Sequence, residues 1–303
     1  MRLKWPKVLT PALQPKRVQI VYEKFELECR YHEYHEHCQR LSCAVFGQGD
    51  STRIPGASLR DDGIRRFSGL LSPQSAQRVL ELARHNGAQG LLKKDTRDLS
   101  GLRITDASVI HDLFSCTLAP TVDAAIREYF GSEYLVHWFT VSATPASSSP
   151  PSVSFRWHCD KGPRDHLKLI VFLNDVEEHG GGTAFLNRAD SEAVAESGYL
   201  FGRAKKRALD TASLGAICGK HLSPIEIYPA AGDAVLFEPS RIVHSGITPR
   251  HGIRYALTLC LLPSPLDWKQ SLARGTLSDL MEDELWHIDA TCLLDTLGVS
   301  DWP

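Results

Sequence analysis

No stretch of the 303-residue chain approaches the roughly 20 consecutive apolar residues that a membrane-spanning helix needs. The opening MRLKWPKVLTPALQPKR is broken by prolines and has no apolar core of the kind an export signal carries. Charge of one sign is missing too: 34 Lys and Arg against 36 Asp and Glu leave a formal net charge of −2. That balance argues against bulk electrostatic binding to nucleic acid or to a membrane surface. The eight cysteines follow no disulfide framework, so reduced thiols and a cytoplasmic location are expected. No nucleophilic triad and no paired-carboxylate motif stands out. Gly180-Gly181-Gly182-Thr183 lacks the lysine and the helical setting of a phosphate loop and reads as a tight turn. What remains is an ordinary globular composition, 43% apolar and 23% charged. The length suffices for one elaborated domain with a substantial core.

Against this background one constellation carries chemistry: His158-Cys159-Asp160, with His244 and then Arg254 further along. A strand sends residues i and i+2 to the same face. His158 and Asp160 can therefore meet one metal ion while Cys159 points away, and a second strand can bring His244 to the same ion. Two histidines and a carboxylate on one face of an octahedron leave three positions open. This is the arrangement of a non-heme Fe(II) oxygenase, where a co-substrate and O2 bind side by side. Arg254 is then a fixed guanidinium suited to gripping a carboxylate in bidentate fashion. The chain contains its own control. His287-Ile288-Asp289 has the same spelling, but no histidine follows it and its surroundings read as helix, where i and i+2 diverge.

The surroundings of the first pair read as short strands between Gly/Pro turns. The apolar run 167–175 leads through the triple glycine into Thr183–Leu186. Pro229-Ala230-Ala231-Gly232-Asp233 turns into Ala234–Phe237, and Ile242-Val243-His244 is followed by a turn and the run Ile253–Leu261. Such a pattern predicts an α+β, mainly β fold: a double-stranded β-helix (a jelly-roll or cupin-like barrel) buttressed by helices.

These motifs resemble the Fe(II)/2-oxoglutarate-dependent dioxygenases, near their prolyl-4-hydroxylase-like and phytanoyl-CoA-hydroxylase-like branches. The likeness covers roughly residues 130–263, with a weaker trace from about residue 60. It rests on WHCD at 157–160, FLNDVEE at 172–178, GGGT at 180–183, GDAVLF at 232–237 and HSGITPRHGIRYALT at 244–258. The resemblance implies His158, Asp160 and His244 as ligands of Fe(II), and Arg254 as partner of the distal carboxylate of 2-oxoglutarate. Thr258 lies four residues beyond Arg254 and so on the same strand face, able to add a hydroxyl hydrogen bond to that carboxylate. It also implies hydroxylation of an unactivated C–H by O2, with release of succinate and CO2 and with ascorbate as an optional reductant. The substrate class is a small molecule or a peptidyl group. One departure is Phe172, where related hydroxylases often have a tyrosine whose hydroxyl holds 2-oxoglutarate. Lys168 shares a face with Ile170 and Phe172. It is read either as a cation for 2-oxoglutarate or an acidic substrate, or as a strand-end lysine reaching solvent. Two rival readings keep the fold: a non-redox cupin-type metalloenzyme, and a catalytically silent metal- or ligand-binding protein.

Residues 1–60 read as an N-terminal extension and 61–303 as the dioxygenase domain, with a mostly helical tail over 264–303. Within the extension, Cys29, His32, His35, His37, Cys38 and Cys43 are a dense set of soft ligands. Their spacing matches no usual zinc pattern, and an ordinary exposed helix or hairpin is expected there. Residues 49–62 read as a linker. Ser72 is the expected N-cap of a helix with Pro73 at its first position, a second helix is expected over 118–130, and a strand over 134–144. The long departure between Asn187 and Pro224 carries Arg203, Lys205, Lys206 and Arg207. It is read as a lid that favours anionic substrates, against the plainer alternative of a solvated helix face.

Overall fold

A computed structural model describes residues 32–40, 42–43, 59–88, 92–94, 100–102, 107–148, 153–160, 165–201 and 207–273. The linker over 49–58, Cys29, the cations Arg203, Lys205 and Lys206, the His287/Asp289 control and the tail beyond residue 273 lie outside them.

Among the described residues ten strands form two antiparallel sheets: β1 (Ile64–Phe67), β2 (Leu92–Lys94), β3 (Ser100–Leu102), β4 (Glu133–Pro145), β5 (Leu167–Phe172), β6 (Thr183–Phe185), β7 (Ile225–Ile227), β8 (Ala234–Phe237), β9 (His244–Gly246) and β10 (Ile253–Ser264). The large sheet runs β1-β8-β5-β10-β4-β3-β2 and the small one β7-β6-β9. His158 extends the small sheet by a further bridge, pairing with His244.

Strand alternation sorts the large sheet into two faces. Leu167, Leu169 and Val171 of β5 and Leu257, Leu259 and Leu261 of β10 join one core with the helices. Lys168 and Ile170 of β5, and Arg254, Ala256 and Thr258 of β10, face the other way, into a cavity. Three helices supply the covering layer: Pro73–Ala88, Ala107–Thr117 and Pro120–Phe130. Each buries apolar residues at helical spacing, as in Val122, Ala125, Ile126 and Tyr129. Ser72 caps the first, its Oγ accepting from Ser75 N at 3.1 Å. The last begins with Pro120 and ends at Gly131 in the left-handed conformation, as its sequence predicts. Among the described residues no single helix is long and apolar enough to cross a membrane.

Between the sheets, Phe172, Val235 and Phe237 of the large one pack against Phe185 and Ile227 of the small one. A third cluster covers the outer face of the small sheet. It gathers Trp157, Cys159, Ala184, Leu186 and Val243 with Val194, Tyr199, Ala208, Leu214 and Leu222 of the 187–224 insertion. Tyr199 pins that insertion: its hydroxyl donates to Trp157 O at 2.9 Å and accepts from Ala208 N at 2.7 Å.

The N-terminal extension departs from the expected exposed element. Residues 32–40 are helical, with Tyr34, His35 and Cys38 buried. The helix docks on the end of Pro120–Phe130, where the His35 ring nitrogen Nε2 and Gln39 Nε2 both reach Phe130 O, at 2.8 and 2.7 Å. His35 and Cys38 thus serve packing and capping, and burial pushes the Cys38 thiol up to about 12. Residues 59–62, expected as linker, form a helical turn.

Candidate metal centre

His158 and His244 stand directly opposite each other. His158 N donates to His244 O at 3.0 Å and His244 N to His158 O at 2.9 Å. Opposed residues of an antiparallel pair project on one side, and the two imidazole centroids are 4.2 Å apart. Two residues beyond His158, Asp160 returns to that side, with Oδ1 at 3.5 Å from His158 Nε2 and 3.9 Å from His244 Nε2. Cys159 points away into the outer core, where burial pushes its thiol up to about 12. One donor atom from each of His158, Asp160 and His244 lies within 4.8 Å of the others. Among the described residues no other group of His, Cys, Asp and Glu does this, the N-terminal Cys/His set included.

Each imidazole has its Nδ1 committed to a backbone carbonyl. His158 Nδ1–H donates to Arg156 O at 2.7 Å, and His244 Nδ1–H to Ile242 O at 2.9 Å. A carbonyl can only accept, so the proton sits on Nδ1 and the Nε2 lone pair is free for a metal. Burial, with His158 beside it, pushes His244 down to about 3. Burial also works against the Asp160 carboxylate, but His158, His166, His244 and Lys168 outweigh it and hold the group far below the usual range. Two buried histidines turned to one point by their Nδ1 contacts, with an ionised aspartate beside them, are the chemistry of a divalent-cation site.

The cavity holds about 210 Å³ and is walled by both sheets. Trp138, Thr140, Ser142 and Thr144 of β4 form one side, and His158, Thr183 and His244 come from the other. Arg254 lies deep in it, 8% exposed. Its guanidinium donates to Gly182 O at 2.8 Å and to Thr183 Oγ1 at 3.0 Å. Its Nε has no partner, and among the described residues no carboxylate pairs with it. Burial pushes this guanidinium down to about 10. Gly182 is required where it stands, because a Cβ there would sit 2.3 Å from Ile227 O.

The sequence-derived residues therefore converge on one cavity. Lys168 faces it, and its Nζ pairs with Asp160 Oδ2 and lies 5.3 Å over the Trp138 ring. Thr258 lines the cavity on the Arg254 face, while the hydroxyl touching the guanidinium is that of Thr183. The β4 wall went unread, although the alternation Thr140-x-Ser142-x-Thr144 between apolar residues signals a polar inward face. No sequence signal marks Trp138 or Phe155. The described part of the 187–224 insertion contributes no cavity-lining residue and packs behind the small sheet, and Arg207 is buried there. That placement does not support a lid.

No protein-family model and no curated protein matches the sequence. Solved structures do. EctD from S. alaskensis with 2-oxoglutarate and 5-hydroxyectoine aligns at 15% identity and TM-score 0.51, over 75% of this chain and 85% of that one. The epimerase SnoN in complex with Fe3+, alpha ketoglutarate and nogalamycin RO aligns at 16% and 0.46, over 74% and 88%. A Pseudomonas putida prolyl-4-hydroxylase aligns at 14% and 0.45, over 67% and 94%. At such identities the likeness speaks for the fold alone, and the chain shares its fold with EctD.

Proposed function

We propose that the protein is an Fe(II)- and 2-oxoglutarate-dependent oxygenase that hydroxylates an unactivated C–H of a small-molecule or peptidyl substrate. The observation that carries this is Arg254, a buried guanidinium without a carboxylate partner, opening into the same cavity as His158, Asp160 and His244. Burying an unpaired charge is costly, and an anion entering the cavity relieves that cost. A dicarboxylate long enough to reach both Arg254 and the metal position meets both requirements, and 2-oxoglutarate is such a molecule. The two sheets read as facing halves of a double-stranded β-helix. From β4 onward the chain passes repeatedly between them: His158 follows β4 into the small sheet, β5 returns to the large one, β6 and β7 both lie in the small one, and β8, β9 and β10 fall in the large, small and large sheets.

In this reading His158, Asp160 and His244 hold the iron, which when bound supplies the oxidative decarboxylation of 2-oxoglutarate and the activation of O2. The protein's share is positioning and exclusion of water. Gly182 O and Thr183 Oγ1 fix two edges of the Arg254 fork. Thr258 and Thr144 add hydroxyls along that wall. Phe155, Ile170 and Phe237 give the remaining wall an apolar lining that keeps bulk water from the reacting atoms. A non-redox metalloenzyme of this fold needs no buried cation opposite its metal. A catalytically silent metal-binding protein likewise needs no buried cation in the same cavity as its three ligands. Succinate formation from 2-oxoglutarate by purified protein, with and without Fe(II), tests the proposal. No Fe(II)-dependent succinate in the presence of a broad panel of candidate substrates overturns it.

A further inference from the structure

The two oxygens of Asp160 are divided between different neighbours. Oδ1 faces the histidine pair, 3.5 Å from His158 Nε2 and 3.9 Å from His244 Nε2. Oδ2 turns the other way, against Lys168 Nζ and 3.9 Å from His166 Nε2. Lys168 is anchored for this task. It sits mid-sheet, with its backbone paired to Phe237 on one side and Cys260 on the other, and its ammonium rests over the Trp138 ring. Its side chain is 18% exposed, so the contact is held within the cavity wall rather than on a freely solvated surface.

We propose that Lys168 is a positioning residue that keeps Asp160 a one-oxygen ligand, and so keeps the third open position of the metal free. This rests on the reading of His158, Asp160 and His244 as the metal ligands. A carboxylate can ligate through one oxygen or chelate through two. Two histidines and a one-oxygen aspartate leave three of six octahedral positions, two for a chelating keto acid and one for O2. A chelating aspartate leaves two, which the keto acid alone fills. The lysine's charge has a second effect. It already neutralises the buried carboxylate, and it repels a cation placed beside it, so metal binding is weaker with Lys168 present than without it. The structure thus gives up metal affinity for an open coordination site.

The experiment uses Mn(II) on the full-length protein, with affinity and the number of exchangeable waters on the bound ion read by water-proton relaxation. Wild type is expected to hold three such waters. Lys168→Met is expected to bind Mn(II) more tightly and to hold two, and Lys168→Arg, which keeps a cation against Oδ2, to restore three. Lys168→Gln carries the same expectation as Lys168→Met and serves where the methionine variant does not fold, as judged by circular dichroism. Three waters and unchanged affinity in the Met or Gln variant overturn the proposal. Mn(II) binding by His244→Ala equal to wild type is a different failure, because it removes the ligand assignment itself.

Discussion

Arg254 lies over the ring of Phe172, its guanidinium carbon 5.4 Å from the ring centroid. Phe172 offers an aromatic face and no hydroxyl here, and the cation–π contact gives the guanidinium a neutral resting place. The arginine then has to carry the co-substrate's carboxylate with less help from its neighbours.

The expected consequence is a strong dependence on that one side chain. Arg254→Ala should raise the apparent KM for 2-oxoglutarate steeply, since a broken buried pair costs about 3–5 kcal/mol, or between roughly 10²-fold and several thousandfold. Arg254→Lys should recover only part of this, because an ammonium lacks the planar fork that meets Gly182 O and Thr183 Oγ1 together. An unchanged KM in the alanine variant would remove Arg254 from the co-substrate site.

Gly182 offers an independent handle on the same arginine. Its missing Cβ lets the chain pass Ile227 O, and its own carbonyl oxygen receives the guanidinium. Gly182→Ala should push β6 and β7 apart, lower the unfolding free energy by about 1–3 kcal/mol and raise the 2-oxoglutarate KM with the metal ligands untouched. Thermal unfolding and initial rates against 2-oxoglutarate read the two effects separately.

Much of this was legible from sequence because strand geometry is local. The i, i+2 rule puts His158 and Asp160 on one side, and alternation puts Arg254 and Thr258 on another wall. Three features were not legible, and each depends on tertiary pairing. Lys168 meets Asp160 only because β5 lies beside the 158–160 segment, which no spacing encodes. Thr183 meets the Arg254 guanidinium from the other sheet, a contact that no spacing encodes. The 187–224 insertion looked like a lid because length alone says nothing of which side a loop folds toward. Leu186, Val194, Leu214 and Leu222 take it to the back of the small sheet. The N-terminal helix shows the same limit, since burial of Tyr34 and Cys38 needs the surface of Pro120–Phe130.

Acid should destabilise the metal-free protein before its ordinary carboxylates titrate. His244 is held at about 3 against an ordinary 6.5. Above 6.5 both folded and unfolded chains carry it neutral, and it contributes no pH dependence. Between 6.5 and about 3 the unfolded chain binds the proton and the folded one does not, so stability falls as pH falls through that window. Asp160, held low in the fold, adds to the loss further down. Urea midpoints measured in chelator from pH 7 to pH 5 should decline, and His244→Phe should flatten that slope. Parallel slopes would show that His244 is not the group responsible.

Removal of the metal should abolish turnover and leave the fold standing. The three hydrophobic clusters close without His158, Asp160 or His244 among their members. His244 nonetheless packs against Phe237, with centroids 4.9 Å apart, so truncating it leaves a small gap in the wall. His158→Ala and His244→Ala should therefore lose Fe(II)-dependent succinate formation entirely while unfolding cooperatively, with a destabilisation of about 1–3 kcal/mol from lost packing. Added metal should raise the wild-type midpoint, by about 2.7 kcal/mol at a hundredfold excess over Kd, and leave both variants where they are. Metal-induced stabilisation of equal size in His158→Ala or His244→Ala would place the ion somewhere other than between these three side chains.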